Sequence, residues 1–184
     1  GKVFSFEPSS YSCSILRRVI SANGLSHVKV IHAGLGDAPG TLILKTPLKK
    51  SGTFRYGVAT LGDSEWTGDI FKEECPLVTI DDVVEEENLN RLDFIKIDVE
   101  GWELRVLMGG AKSIQKFHPG IVVELVDDNL ARAGDSLQSS WDQLTQWGYK
   151  AMSLTDPETL VDIDHPIEGD IYWFHDEGPG PKVS

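Results

Sequence analysis

LDFIKIDVEGWE, residues 92–103, opens on the β-forming residues Phe94, Ile95 and Ile97 and then delivers two carboxylates, Asp98 and Glu100. Gly101 permits a turn, after which Leu104, Leu107, Ala111 and Ile114 recur at spacings of three and four, the period of a helix face. The stretch reads as a buried strand feeding a helix, with acids at the strand's carboxyl end. Ligands of open α/β sheets bind outside the carboxyl ends of the strands, so these acids stand where chemistry would occur. A structural reading is equally available: Asp98 caps the helix, and Glu100 and Glu103 complement its dipole.

On the carboxyl side, Gly109 and Gly110 divide the helix, and Pro119-Gly120 ends its second part. IVVEL at 121–125 is the near-continuous apolar run of a strand covered on both faces. A right-handed crossover would set it parallel to the 94–97 strand, with Glu124 near the same rim. Residues 127–135 read as a polar loop, and Ser136 caps a helix with Leu137, Trp141 and Leu144 on one face and Gly148 at its end. Residues 149–154 and 171–174 read as an antiparallel closing pair across a loop at 155–170. The tail, 177–184, is expected to be disordered.

On the amino side, KVFSF at 2–6 is a strand that stops at Glu7-Pro8. Ser9 or Ser10 caps a helix running to about Ala22, with Tyr11, Ile15, Leu16, Val19 and Ile20 on its inner face and Asn23-Gly24 as its stop. Residues 28–32 and 41–44 are two further strands. Gly34, Gly36 and Gly40 suggest a dinucleotide loop, but such a loop must open a helix. TLILK follows instead, so a tight turn is the better account. Residues 46–77 lack periodicity and read as a substrate-side insertion, rich in Lys49, Lys50, Arg55 and aromatics such as Tyr56 and Trp66. Residues 78–84 are short and mixed, followed by an acidic patch at 85–87.

The chain of 184 residues, 40% hydrophobic, is long enough for one domain with a proper core. Its net charge of −12 argues against nucleic acid or an anionic membrane surface as partner and suits a cationic or neutral small molecule. Cys13 and Cys75 are too few for a disulfide scaffold, and no metal spacing such as Cys-x-x-Cys is present. A reducing, cytoplasmic setting is expected. No apolar run approaches the roughly 18 residues of a membrane span, and no signal peptide is visible.

Glu7, Asp98 with Glu100, and Glu124 thus fall at the carboxyl ends of successive parallel strands. A carboxylate in Glu7's position can accept two hydrogen bonds from ribose hydroxyls. The coincidence of all of them favours a nucleoside-type ligand with its reacting centre near Asp98 and Glu100.

FEPS at 6–9, VIHAGLGDAPGTLIL at 30–44, VTIDD at 78–82, DFIKIDVEGWELRVLMGGA at 93–111 and the IVVEL strand resemble the FkbM family of S-adenosylmethionine-dependent methyltransferases. The resemblance runs over most of residues 2–126. It implies an α/β fold, a Rossmann-like methyltransferase sheet with helices on both faces, and O-methyl transfer to a hydroxyl of a sugar or other small natural product. It further implies Glu7 on the cofactor ribose, Ala33-Gly34-Leu35 along the adenine, and Asp98 to Glu100 near the methyl and the acceptor. Methyl transfer to an alkyl hydroxyl benefits from a base within hydrogen-bond reach. Glu100 is the first candidate for it and Asp98 the second, unless Asp98 binds the cofactor's amino-acid end. His32 could also serve as the base, but one histidine at a strand end reads rather as a satisfied structural group.

The family's glycine-rich loop should lie about 20 residues before the ribose acid, whereas six residues precede Glu7. The expectation is therefore a fragment lacking the first strand and that loop; the strand would lie between the 2–6 and 94–97 strands. Two other readings stand beside this one. The chain could be a catalytically silent binding domain. It could also be a metal-dependent nucleotide-sugar transferase using Asp98 and Glu100, which the acidic, phosphate-averse surroundings disfavour.

Overall fold

The computed structural model describes residues 1–47, 60–61, 69–156 and 159–179. They belong to two compact units, Gly1–Thr79 and Ile80–Ser184.

In the first unit, β1 (Val3–Phe6) and β2 (Val28–Ile31) run parallel, from Val3 opposite Val28 to Phe6 opposite Ile31. Helix α1 (Ser10–Ala22) connects them. It starts where it does because Ser9 is extended and its hydroxyl accepts the Ser12 N–H. It stops where Asn23 returns its N–H to Ser21 and Val19 and Gly24 takes φ +65°. The buried stripe is narrower than the sequence suggests: Cys13 is buried and Leu16 and Ile20 half-buried, while Tyr11, Ile15 and Val19 are 46, 44 and 49% exposed. Residues at i, i+3 and i+7 already span the width of a two-stranded sheet, which leaves the neighbouring i+4 stripe uncovered.

The second sheet of this unit has the order β3–β6–β4–β5, with β3 (Gly34–Leu35), β4 (Gly40–Pro47), β5 (Thr60–Leu61) and β6 (Ile70–Val78). Two expectations change here. Gly34 and Leu35 are not a turn but a short strand parallel to Leu77 and Val78; the chain bends at 37–39 instead. The region 46–77 is not irregular to its end, because β6 pairs antiparallel with β4 from Gly40 opposite Leu77 to Pro47 opposite Ile70. The charges of Lys72, Glu73 and Glu74 hide this strand; only Cys75 and Leu77 keep the buried alternation. The rest of the expected insertion, 48–59 and 62–68 with Arg55, Tyr56 and Trp66, lies outside the described residues.

The second unit begins with α2 (Ile80–Glu86), which takes over directly where β6 ends, so 78–84 is a strand end and a helix. Then follow β7 (Phe94–Ile97), α3 (Glu103–Gly109), α4 (Ala111–Phe117) and β8 (Gly120–Leu125). β7 and β8 are parallel, from Phe94 opposite Gly120 to Ile97 opposite Val123, as the apolar run implied. The break at Gly110 has a packing cause: a Cβ there would lie 3.1 Å from Ile80. The loop expected at 127–135 is largely helix α5 (Asp127–Ala133), with Asp127 and Asp128 in the first turn, Arg132 in the last and Leu130 buried. Such a charge distribution complements the helix dipole, and one apolar residue per two turns is too sparse to show periodicity.

Helix α6 (Leu137–Gln146) carries a capping box between Ser136 and Ser139. The closing strands are β9 (Lys150–Asp156), β10 (Thr159–Ile163) and β11 (Gly169–Phe174). β9 and β11 are antiparallel as expected, and β10 adds an edge strand inside what the sequence showed as a loop. The five-stranded order is β10–β9–β11–β8–β7. Ile97, Ile121, Val123 and Leu125 are buried in it, and Trp141 meets the buried Trp173 edge-on at 4.8 Å. Residues 177–179 form a turn, and 180–184 lie outside the described residues. Parallel strands joined by helices in each unit make the α/β class plain.

Candidate active site

Asp98 leaves β7 one residue beyond the pairing of Ile97 with Val123, which brings it level with Glu124 on β8. Glu124 in turn is opposite Asp170 on β11. Three carboxylates from three neighbouring strands therefore stand in one row. Lys96, two residues before Asp98 and on the same face, donates to Asp170 Oδ1 at 2.9 Å and to Asp98 Oδ2 at 3.5 Å. Burial opposes the charge on Lys96, but its bond to Asp170 and the charges of Asp98 and Asp170 prevail and raise its pKa. The hydrogen bond with Asp98, the charge of Asp98 and then burial raise the pKa of Glu124, with Lys96 offsetting part. The Asp98 carboxylate beside it thus holds the Glu124 carboxyl above the ordinary glutamate range.

The turn after this row is held by side chains rather than by regular structure. Glu100 sits at φ +57° and Gly101 at φ +105°. Glu100 Oε2 accepts from Asn129 Nδ2 at 2.7 Å, and Arg132 donates to the other end of that amide, Asn129 Oδ1. Glu103 is buried at 3% exposure, and its Oε1 accepts the N–H groups of Gly101 at 3.0 Å and Val99 at 3.3 Å. Glu103 Oε2 is buried with no hydrogen-bond partner among the described residues. Burial raises the pKa of Glu103 above 4.5 more than these N–H groups lower it, and the charge of Glu100 adds to the rise.

In the first unit, Glu7 stands just after β1. It is half-buried and its Oε1 accepts the Ser9 N–H at 2.8 Å; its Oε2 accepts from none of the described residues. Burial lifts its pKa, opposed by the Ser9 N–H; Glu73 adds to the rise and His32 subtracts from it. Glu73 holds the start of α1 through Ser10 N at 2.7 Å and Ser10 Oγ at 3.0 Å. His32 Nε2 lies 3.0 Å from the Pro8 carbonyl and 3.8 Å from Glu73 Oε1, the satisfied structural position expected of it. Ala33 and Gly34 are buried beside this group, and Cys75 beneath it is fully buried, with its thiol pushed up by burial.

The chain matches the Methyltransferase FkbM domain over residues 1–151. It belongs to that family. Over 146 residues it is 30% identical to Methyltransferase sdnD of Sordaria araneosa, which covers 67% of this chain and 56% of the relative. Its fold is similar to the crystal structure of Methyltransferase FkbM from Methylobacillus flagellatus KT, with a TM-score of 0.55 at 15% identity, over 94% of this chain and 36% of that one. The chain therefore spans only about half of the curated relative (56%) and about a third of the solved structure (36%). Among the described residues, no helix is long and apolar enough to cross a membrane.

The FkbM match includes Glu7, Ala33, Gly34, Leu35, Asp98, Glu100 and Glu124; Asp170 lies beyond it. Within the second unit Asp98 and Glu124 come together, and Glu100, two residues on, is held through one oxygen by Asn129. Glu7 and the Ala33–Leu35 segment lie in the first unit. Lys96, Asp170, Glu73 and Asn129 were not legible as site residues. Asp170 reaches the row only through antiparallel register with a strand more than forty residues earlier, and no local pattern encodes that.

Glu103 provides a stability test of the turn. Its folded pKa is raised, so folding takes up a proton and stability is lost as pH climbs above the ordinary value of 4.5. Glu103→Gln keeps an acceptor for both N–H groups and should flatten that slope, matching or exceeding the wild type near neutral pH. Glu103→Ala strands the two donors and should cost about 1–3 kcal/mol or more. Denaturant midpoints at pH 5 and pH 8 check both; an unchanged slope in the glutamine variant would remove Glu103 from this role.

Proposed function

We propose that this FkbM domain works within an S-adenosylmethionine-dependent O-methyltransferase acting on a hydroxyl of a sugar or other small natural product. The observation that carries the reading is the juxtaposition of Asp98 and Glu124 at the ends of two parallel strands, with Lys96 bonded to Asp98. When bound, the cofactor supplies a sulfonium-activated methyl, so alignment and exclusion of water are the main tasks left to the protein. Asp98 takes up the acceptor hydroxyl's proton, with Glu124 and Lys96 fixing its orientation through their bonds to it. Glu100, anchored by one oxygen to Asn129, offers its other oxygen as a second acceptor for that hydroxyl.

The residues of the first unit fit the cofactor's adenosine. Glu7 has one oxygen committed to Ser9 and one without a bond from any described residue, which suits a ribose hydroxyl. Ala33-Gly34-Leu35 lies along the adenine, where the small, buried Ala33 and Gly34 permit close approach and the half-buried Leu35 offers an apolar face. The clustered negative charge suits a cationic cofactor, and the buried free thiols of Cys13 and Cys75 suit a reducing, cytoplasmic compartment.

Calorimetry with S-adenosylmethionine, followed by transfer of its labelled methyl to hydroxylated acceptors, tests the reading. Glu7→Ala should weaken cofactor binding by about 1–3 kcal/mol through loss of charge-assisted hydrogen bonds. An unchanged dissociation constant would remove Glu7 from the ribose. No saturable cofactor binding at all would favour the silent binding module.

A further inference from the structure

At the opposite end of β8 from the carboxylate row, three ligating side chains meet that no local motif connects. His118 closes α4 in the left-handed region at φ +48°. His175 and Glu177 follow β11. Among the described residues, these are the one group of three or more His, Cys, Asp or Glu whose donor atoms come together for a metal, all within 4.8 Å of one another. His118 Nδ1 lies 3.4 Å from Glu177 Oε2, and the two imidazoles stack at 3.9 Å between centroids.

We infer that His118, His175 and Glu177 form a binding site for one borderline divalent transition metal, with Zn²⁺ the best match. Two imidazoles and one carboxylate are a donor set for Zn²⁺, Co²⁺ or Ni²⁺ rather than for Mg²⁺ or Ca²⁺, which prefer oxygen alone. Bonds of about 2.0–2.2 Å place tetrahedral donors about 3.3–3.6 Å apart. The 3.4 Å pair is already at that spacing, and the widest separation, 4.8 Å, needs closing by about an ångström.

The backbone around the three is fixed, so only side chains have to move. Gly178 packs directly on the His118 carbonyl, where a Cβ could not fit, and its N–H donates to the His175 carbonyl at 2.9 Å. Tyr149 presents its ring edge-on to His175 at 5.4 Å between centroids, and donates its hydroxyl to the Pro119 carbonyl next to His118. Gly148 leaves room on the far side, since a Cβ there would come within 2.9 Å of His175 Nε2. The rings must turn out of their stack, because parallel imidazoles aim their lone pairs side by side rather than at one point. His175 Nδ1, which now accepts the Glu177 N–H at 3.1 Å, exchanges that bond for the metal. The Nε2–H tautomer is kept, and the freed amide belongs to an exposed residue that water can satisfy. Glu177, with its side chain 75% exposed, is free to swing in. The ion leaves a fourth position for water and clasps the segment after β11 to the turn between α4 and β8.

Titration of the tag-free protein with Zn²⁺ and Co²⁺ tests this. One saturable equivalent is expected, with visible tetrahedral Co²⁺ absorption and a thermal midpoint that rises with metal concentration. His118→Asn, which tolerates the left-handed backbone, and His175→Gln should each weaken binding at least tenfold, and the surface variant Glu177→Gln should weaken it without perturbing the fold. No saturable equivalent overturns the site. So does binding that survives in all three variants, which would place the ion at the thiols or the carboxylate row.

Discussion

Gly101→Ala should destabilise the Ile80–Ser184 unit by about 2–5 kcal/mol, the largest loss expected of any single methyl in the described residues. Two costs combine. At φ +105° an L side chain is strained, by about 1–2 kcal/mol. The new Cβ would also overlap the Asn129 carbonyl, whose carbon would lie 2.6 Å away, and overpacking of this kind costs about 1–3 kcal/mol. Asn129 cannot retreat freely, because its side chain holds Glu100 and it lies within α5. Gly134→Ala is the matched control: it also has positive φ, +83°, but nothing lies within 4 Å of its Cβ position. Only the backbone term should appear there. Equal losses in the two variants, measured by denaturant unfolding, would show that the approach of Asn129 to Gly101 is immaterial.

Asp98→Asn should lower kcat by about 10²–10⁴-fold, the range of a lost general base, while leaving the dissociation constant for S-adenosylmethionine near the wild-type value. The substitution preserves size and an acceptor for Lys96 and Glu124, so the fold should persist. Glu100→Gln should also slow turnover while sparing cofactor affinity, but by less, because its bond from Asn129 can be kept by the amide oxygen. Comparing the two separates the candidates. A larger loss at Glu100 would return the base to the residue that the sequence ranked first. Parallel losses of turnover and cofactor affinity would mean a structural job for Glu100 and, for Asp98, a place on the cofactor's amino-acid end in place of the base.

The different legibility of these residues has a physical cause. Asp98 was readable because a strand of four and a helix of period 3.6 meet at it, and both periods are local. Glu124 was readable because a buried parallel strand is an unbroken apolar run with one acid near its end. Glu103 was visible only as an acid in the first helical turn; that it is the buried pin of the turn depends on how tightly α3 closes over residues 98–101. β6 was missed because Lys72, Glu73 and Glu74 interrupt its alternation, yet eight cross-strand pairs with β4 hold it as strand regardless. α5 was missed for the converse reason, since a short polar helix buries one leucine and is otherwise supported by charges at its ends.

The sequence by itself determined the α/β class, the parallel pairing of the strands read at 2–6 and 28–32 and of those read at 94–97 and 121–125, the family, and the acids at the strand ends. These follow from hydrophobic period, capping residues and motif, all carried within a few neighbouring positions. Only the tertiary structure decided that Asp98, Glu124, Asp170 and Lys96 share one row, that Glu100 turns to Asn129, and that His118 stacks on His175. Each of those depends on strand register and on loops closing across tens of residues, where no local preference reaches and burial of the common core sets who meets whom.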